Sequence, residues 1–490
     1  MTHHSIIRQI MAMGLAGLLV WTPAAATAAD SVGHPPLREL VAEPYLALLE
    51  KADELGYSKK ALETLKKDLK REEKVEKKRL KNEQKELEQQ LKALRADLED
   101  LNKERSRDTN PMRIERSALH CRILSLETQL DKKKAEREHG LPLAYDNRLA
   151  KLDLIEHWPA RKREIEETLT SGLARERRYG DVEDIGIRVL KEGQEKDTET
   201  GEEAVREMKS SGLMPPLLED EEVTAYIDQL SEKIAAHSDL RVPLRVTVLD
   251  SDEINAFALP GGFLYVNVGL IEKAETEAEL AGVIAHEIAH VTARHGARLM
   301  GKANLANILF QAAQVAALVF TGGVASVGAY YALQYGFFGL GMVMDLTLLG
   351  VSRDYEEEAD QLGAQYAWNA GYDPRGFISF FDKMASEEGY VKAASFFRTH
   401  PPFFERIVST FSEIEYLPEK ENLVVDSAPF QHMKERLEEV TEDGDWGNEE
   451  RPRLGRTSEC EEGSGSLPKR PVKTLKKEGD FSPRWKSTDL

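Results

Sequence analysis

The chain has 490 residues and a formal net charge of −20, from 86 acidic residues and 66 Lys and Arg residues. Its length allows roughly two to four domains, and its apolar content is sufficient for a buried core. The acidic excess argues against a nucleic acid as the main partner, because a phosphate-binding surface needs a net basic face.

Residues 1–28 have the features of an export signal. Arg8 supplies a positive charge, residues 10–21 are apolar, and small side chains surround the expected cleavage site near Ala28 or Ala29. The apolar run is too short to cross a bilayer comfortably, although an uncleaved N-terminal anchor is the alternative. We therefore expect export to the periplasm or secretion.

Residues 29–180 are predicted to form a helical coiled-coil region. Residues 57–105 are highly charged and carry leucines at heptad spacing. Turn residues around Pro111 interrupt this pattern, which then resumes, so an antiparallel helical hairpin is the simplest interpretation. The motif HGLP at 139–142 predicts a second interruption before a third helix. Such a region serves either as an arm for self-association or a partner, or as a scaffold packed on its own chain.

Residues 181–415 have the mixture of apolar and polar residues that is typical of a globular domain with helices and strands. Alternating apolar side chains predict strands at 244–250 and 261–271. A helix should follow, because Thr276 and Glu279 form a capping box ahead of an apolar run.

Residues 303–344 contain no charged side chain. Asn304, Asn307, Gln311 and Gln314 share one helical face, which makes the first half amphipathic, and glycines interrupt the second half. We interpret the segment as a membrane-surface or plug-like element. Two membrane-spanning helices and a buried pair of helices are the alternatives.

Residues 416–490 are acidic at first and then polar, with few apolar side chains near the end. This composition predicts a disordered tail.

The sequence HEIAH at 286–290 has the residue types of a metal site. His286 and His290 are four residues apart on the predicted helix, so their imidazoles project from one face and can share a metal ion. Glu287 lies about 100° round the helix, near enough to reach a metal-bound water. A catalytic zinc ion has three protein ligands and one open position, and it lowers the pKa of its water while a carboxylate transfers the proton. The motif therefore predicts hydrolysis of an amide bond.

His295 suggests a different ligand set. The metzincin pattern needs histidine at position 296 and glycine at position 293, whereas the chain has Gly296 and Ala293. One residue on a helix is a rotation of about 100°. We therefore expect His295 to point away from the metal as a packed or hydrogen-bonded helix histidine.

Four sequence blocks occur in the order of a known family: NAFALPGGFLYVNVGL, HEIAH, SRDYEEEAD and RTHPPFFERI. Together they resemble the zinc metallopeptidase family of the CAAX prenyl protease and HtpX, and within it the exported BepA-like bacterial branch. The resemblance covers residues 181–415 and implies a zincin-type (gluzincin) catalytic domain with a small β-sheet. The whole chain is then an α+β protein, mainly α, with the helical hairpin ahead of the catalytic domain.

The resemblance also implies roles for individual residues. His286, His290 and Glu356 would bind one zinc ion per chain, and Glu287 would be the general base. Asp360, one helical turn after Glu356, would hydrogen-bond a ligand histidine and fix its tautomer.

Glu357 and Glu358 compete with Glu356 for the position of third ligand. Only Glu356 lies four residues before Asp360, which favours Glu356 and leaves Glu358 as the second choice.

His400 and Arg406 are further candidates in the fourth block. The resemblance implies that His400 lies close to the metal, where it would cap the open position and restrain the enzyme, or stabilise the oxyanion. A loop histidine bonded to the backbone is the alternative. Arg406 would pair with Glu356 or contact the substrate backbone, and a surface salt bridge is the alternative.

The segment ALPGGFLYVNVG is expected to run beside the active helix as an edge strand and to pair with an extended substrate backbone. Asn255, Gly261 and Gly262 would shape the approach of the substrate, although a simple core hairpin would need the same glycines.

These features predict an exported zinc endopeptidase whose substrates, by resemblance, are unfolded or misassembled envelope proteins. His400 and residues 303–344 would restrain its activity, and residues 303–344 would provide a peripheral membrane contact. A periplasmic chaperone or assembly factor with little proteolytic activity is the first alternative. An integral membrane protease, in which residues 303–344 span the bilayer, is the second.

Overall fold

A computed structural model of the protein describes residues 36–51, 56–103, 110–171, 179–210, 214–251, 253–300, 346–386 and 405–443. The predicted export signal, residues 303–344 and His400 lie outside these ranges. The described part is mainly helical, with one three-stranded sheet. Among the described helices, none is both long enough and apolar enough to cross a membrane.

The N-terminal helices are α1 (Leu37–Leu40), α2 (Tyr45–Lys51), α3 (Lys59–Lys103), α4 (Asn110–Ala135) and α5 (Leu141–Ser171). The elements that follow are α6 (Asp197–Ser210), α7 (Glu221–Ala236), β1 (Arg245–Leu249), β2 (Ala256–Leu259), β3 (Phe263–Asn267), α8 (Val268–Lys273), α9 (Glu277–Thr292), α10 (His295–Met300), α11 (Leu346–Asn369), α12 (Gly376–Ser386), α13 (Glu405–Glu415) and α14 (Ala428–Asp443).

Helix α3 packs antiparallel against α4 and α5, as the heptad pattern predicts. Near the far end of the hairpin Arg95 pairs with Glu127 at 2.5 Å, and near its base Lys66 pairs with Glu156 at 2.8 Å. The far half is held together by one apolar cluster, formed by Leu91, Leu94, Leu119, Ile123 and Leu130.

The predicted interruption at residues 139–142 is wrong, because α4 continues into α5 through a π-helical turn, Glu136–Gly140. A π turn already departs from the i→i−4 ladder. Pro142, which cannot donate a backbone hydrogen bond, is therefore accommodated just after it without ending the helix.

The base of the hairpin shares a hydrophobic core with the rest of the chain. The backbone N–H of Tyr45 donates to Asp382 in α12 at 2.8 Å, and Nζ of the buried Lys151 lies 3.5 Å from the same carboxylate. Trp158 in α5 packs edge-on against Phe411 in α13, with ring centroids 5.4 Å apart. The two regions that the sequence separates near residue 180 are thus joined by buried contacts.

The sheet has the strand order β1-β3-β2, with β1 parallel and β2 antiparallel to β3. The prediction of a strand over 261–271 is too long, since β3 ends at Asn267 and α8 follows at once. Strand β2 was not predicted. Because β3 lies between two partners, the prediction that it forms the edge strand is wrong, and the edge strand in contact with α9 is β2.

Helix α9 lies at the centre of the elements that follow residue 180, in contact with α7, α11, α12 and β2. Nearly all of its residues are buried. Most residues of α9 from Leu280 to Val291 are apolar, and a helix with so much apolar surface is stable only inside a core, which explains this position.

The prediction of disorder from residue 416 is wrong for the part that forms α14. Phe430, Met433 and Leu437, at helical spacing, are buried in the main core. Lys434 on the same helix donates to the carbonyls of Ile271 and Ala274 at 3.0 and 2.8 Å. The acidic average composition hides this apolar stripe, because the charged residues of α14 occupy its solvent face. Residues 444–490 lie outside the described ranges.

Candidate metal centre

The start of α9 is fixed by its cap. Thr276 Oγ1 accepts a hydrogen bond of 3.3 Å from the backbone N–H of Glu279, as the capping box predicts. The Glu279 carboxylate reaches back to the N–H of Glu275 at 2.8 Å and pairs with the buried Lys383 at 2.7 Å. These contacts hold the helix that carries His286, Glu287 and His290.

His286, His290 and Glu356 bring three ligand atoms together. The two histidine Nε2 atoms are 3.0 Å apart, Glu356 Oε2 lies 3.6 Å from His286 Nε2, and Glu356 Oε1 lies 3.4 Å from His290 Nε2. Ligand atoms about 2.0–2.2 Å from a tetrahedral zinc ion are about 3.3–3.5 Å apart. Two imidazole nitrogens and one carboxylate with these separations fit a catalytic zinc site. Within the described residues this trio is a candidate metal-binding group.

The close approach of α11 to α9 brings Glu356 to the histidines. At Gly363 a Cβ atom would meet the backbone N of His286 at 2.9 Å, so a larger side chain would force the helices apart. The glycine therefore allows α11 to lie directly against the ligand helix.

Asp360 and Arg406 form a buried ion pair behind the three candidate ligands. Asp360 Oδ1 lies 3.0 Å from His286 Nδ1. Arg406 donates to both Asp360 oxygens at 2.6 Å, and its third nitrogen lies 3.0 Å from Glu356 Oε2. Burial opposes ionisation of Asp360, but Arg406 and His286 together hold its pKa below the ordinary value.

Glu287 is buried at 2% exposure, one residue after His286 on α9. His290 is the most accessible of the ligand side chains, with 15% of its side chain exposed, whereas those of His286 and Glu356 are almost fully buried.

Residues 219–413, which contain this site, match Peptidase family M48. This segment belongs to peptidase family M48. The resemblance inferred from the four sequence blocks is thereby confirmed. The chain is similar to the beta-barrel assembly-enhancing protease of Yersinia pestis, at 33% identity over 41% of this chain and 40% of the relative.

Two further relatives of the M48 segment extend the comparison. The beta-barrel assembly-enhancing protease of Escherichia coli K12 is 31% identical over 42% of this chain and 41% of its own length. The mitochondrial metalloendopeptidase OMA1 of Schizosaccharomyces pombe is 33% identical over 40% of this chain and 53% of its own length. The chain thus spans about two fifths of the length of the bacterial relatives and about half of the fungal one.

Close packing explains why glycine occupies two of the positions that were predicted to bind substrate. Gly261 and Gly262 form the turn between β2 and β3, with φ of 81° and 87°. A Cβ on Gly261 would meet Thr198 Cα at 2.4 Å, and one on Gly262 would meet the Pro243 carbonyl at 2.4 Å. The turn is therefore packed against the chain, which corresponds to the core-hairpin alternative.

Asn255 precedes β2 and is fully buried. Its backbone carbonyl accepts a hydrogen bond of 3.1 Å from the N–H of Asn267, so it continues the pairing of β2 with β3. In the described sheet β2 is therefore an edge strand, with β3 on one side.

Arg406 is 5% exposed and bonded to two carboxylates, which excludes the surface salt-bridge alternative. Of its two predicted contacts, the one with Glu356 is present.

Two neighbours of the ligands were missed or misplaced from the sequence. The ring of Phe377, the second residue of α12, stacks on His286 with centroids 4.8 Å apart and planes 10° apart. His295 is packed and hydrogen-bonded, as expected, but it lies beside His290 rather than pointing away, because α9 ends at Thr292 and Arg294 adopts a left-handed backbone with φ of 57°. Phe377 could not be predicted from the HEIAH motif, because it lies far from the motif in the sequence. The end of α9 before His295 could not be predicted either, because no turn residue marks it.

Proposed function

We propose that this protein is a zinc-dependent endopeptidase. The observation that supports this most strongly is the convergence of His286, His290 and Glu356, whose ligand atoms all lie within 4.8 Å of one another in an M48 segment. A zinc ion held by these residues would polarise the scissile carbonyl and lower the pKa of a water molecule to about 7.

In this proposal Glu287 is the general base. Its carboxylate accepts the proton of the attacking water and delivers it to the nitrogen of the leaving amine. Asp360 orients the His286 ring through Nδ1, so that Nε2 keeps its lone pair for the metal. Arg406 pairs with both Glu356 and Asp360 in the buried site and holds the pKa of Asp360 below its ordinary value.

The proposed substrates are unfolded or misassembled proteins of a bacterial envelope. This is supported by the export features of residues 1–28 and by two relatives that are named beta-barrel assembly-enhancing proteases. Strand β2, an edge strand of the described sheet in contact with α9, would receive an extended backbone, a conformation that folded proteins rarely expose. The proposed location is the periplasm.

The proposal is tested with the purified chain, unfolded casein as substrate and the variant Glu287→Gln. The wild type should cleave casein, and Glu287→Gln should retain zinc but lose about 10²- to 10⁴-fold in rate. Glu357→Gln is the matched control, because Glu357 is bonded to Ser409 instead. Equal rates for wild type and Glu287→Gln would contradict the assigned role.

A periplasmic assembly factor is the second candidate, and the hairpin of α3, α4 and α5 favours it. The hairpin precedes the M48 segment but is tied to it by the buried ion pair of Lys151 with Asp382 and by the packing of Trp158 against Phe411. An arm fixed in this way could hold a client protein without cleaving it. If Glu287→Gln supports envelope assembly in cells as well as the wild type does, this second function is the relevant one.

A further inference from the structure

We propose that His295 and Glu358 form a positioning pair that fixes His290 for metal binding. His295 Nδ1 lies 2.8 Å from His290 Nδ1, and His295 Nε2 lies 3.1 Å from Glu358 Oε2. His295 is 2% exposed and the Glu358 side chain 13%. The inference rests on the proposed zinc site.

The distances define one consistent set of tautomers. His290 Nε2 faces His286 and Glu356, so it is the nitrogen that would bind the metal and must carry a lone pair. The proton of His290 is then on Nδ1 and is donated to Nδ1 of His295. A neutral His295 carries its own proton on Nε2, which is donated to Glu358.

The backbone around Arg294 places His295 in this position. A left-handed conformation is uncommon for residues other than glycine and costs free energy. The Arg294 side chain compensates by donating two hydrogen bonds of 2.7 Å to the carboxylate of Asp197. The break redirects the chain, so that the side chain of His295 returns to the face of His290 instead of continuing round α9.

Packing holds the His295 ring in a single orientation. The ring stacks on Tyr355, with centroids 4.4 Å apart and planes 8° apart. Glu358 is held in turn by Arg298, whose Nη1 lies 3.6 Å from the same Oε2. Tyr355 and Glu358 both belong to α11, the helix that also supplies Glu356, so the pair is built on a rigid element.

The two ligand histidines are therefore supported in different ways. A carboxylate, Asp360, lies directly against His286, whereas Glu358 acts on His290 through the intervening His295. Partners of this kind fix the ring orientation and raise the basicity of the ligand nitrogen, and removing one lowers metal affinity about 10- to 100-fold. This gives Glu358 a role distinct from that of third ligand.

The test measures the zinc dissociation constant by chelator competition for the wild type, His295→Phe and Glu358→Gln. Phenylalanine keeps the stacking on Tyr355 but cannot hydrogen-bond His290. We expect zinc binding about 10- to 100-fold weaker in His295→Phe and weaker in Glu358→Gln. The double variant should be no weaker than His295→Phe alone, because the two residues act in series.

Glu357→Gln provides the matched control, since Glu357 is adjacent in sequence but bonds Ser409. It should bind zinc as the wild type does. The Co²⁺-loaded proteins provide a second readout: His295→Phe should alter the visible absorption of the metal, which a loss of packing elsewhere would not do.

Wild-type zinc affinity in both His295→Phe and Glu358→Gln would overturn this inference and leave the proposed zinc site intact. An equal loss in Glu357→Gln would also overturn it, because the effect would then not depend on the pair. A wild-type protein that binds no zinc would instead overturn the proposed function, and this inference with it.

Discussion

Arg406 holds the carboxylate of Asp360 with two hydrogen bonds of 2.6 Å, both residues being almost fully buried. The same guanidinium is 3.0 Å from the candidate ligand Glu356. One cation thus compensates two buried anions, and the planar guanidinium suits this because it can bond two carboxylates in fixed directions. The arrangement links the fourth sequence block to the metal centre through side-chain contacts.

Replacing Arg406 with methionine should strongly destabilise the fold. Asp360 and Glu356 would remain buried without their cation, and breaking a buried ion pair from one side costs about 3–5 kcal/mol. Urea unfolding of the zinc-free protein measures this change. The control is Arg375→Met, which removes a half-exposed ion pair with Asp373 and should cost at most about 1 kcal/mol. Equal losses of unfolding free energy in the two variants would show that the buried ion pairs of Arg406 stabilise the fold no more than a half-exposed ion pair does.

Replacing Gly363 with alanine should lower both stability and zinc affinity. Alanine is the better helix former by about 1 kcal/mol, so without a steric contact it would stabilise α11. Its Cβ would instead lie 2.9 Å from the backbone N of His286, and overpacking of this kind costs about 1–3 kcal/mol. Thermal unfolding and chelator competition test this. Gly56→Ala, at a site with open space, is the control, and a Gly363→Ala protein as stable as the wild type would refute the close-packing explanation.

The carboxylate of Asp220 should make stability depend on pH and should report on the docking of α14. It accepts hydrogen bonds from the N–H of Val223 at 3.0 Å and from Arg436 in α14 at 2.9 Å. Burial opposes ionisation, but these bonds lower the pKa of Asp220 below its ordinary value. A lowered pKa means that the contribution is fully present above about pH 4 and is lost as the pH falls further.

The variant Asp220→Ala isolates this contribution. At pH 7 it should be less stable than the wild type by about 0.5–2 kcal/mol, the usual cost of losing an N-cap. The difference should shrink as the pH is lowered from 5 to about 3, as measured by urea unfolding at each pH. A difference that stays constant over this range would mean that the ionised carboxylate makes no contribution.

Local geometry explains which residues of the candidate site could be predicted from the sequence. His286, Glu287 and His290 are positioned by one regular helix, so their spacing alone predicts a shared face. Glu356 comes from α11 and was identified through family resemblance, because no local rule links the two helices.

His295 shows where local reasoning fails. The expected direction of His295 requires α9 to continue past Ala293, whereas α9 ends at Thr292 and Arg294 is left-handed. The side chain of Arg294 pairs with Asp197, which is far away in the sequence, so the residues next to His295 do not predict this conformation. The π turn before α5 was missed for a similar reason, since HGLP is a typical chain break and only packing of the hairpin overrides it.

The fold was predicted best where apolar periodicity is strong. The hairpin follows from its leucine pattern and α9 from its capping box and apolar run, whereas β2 is only four residues long and leaves little alternation to detect. Helix α14 was missed because Phe430 and Leu437 are diluted by acidic residues, although their spacing fits one helical face. The role of His400 stays a prediction.

Zinc content per chain, measured by elemental analysis after exhaustive dialysis, tests the central claim most directly. The wild type and Glu357→Gln should each hold one zinc ion per chain, and Glu356→Gln should lose most of it, because an amide is a much poorer zinc ligand than a carboxylate. A Glu356→Gln protein that keeps one zinc ion per chain, or a wild type that holds none, would contradict the assignment of His286, His290 and Glu356 as the metal ligands.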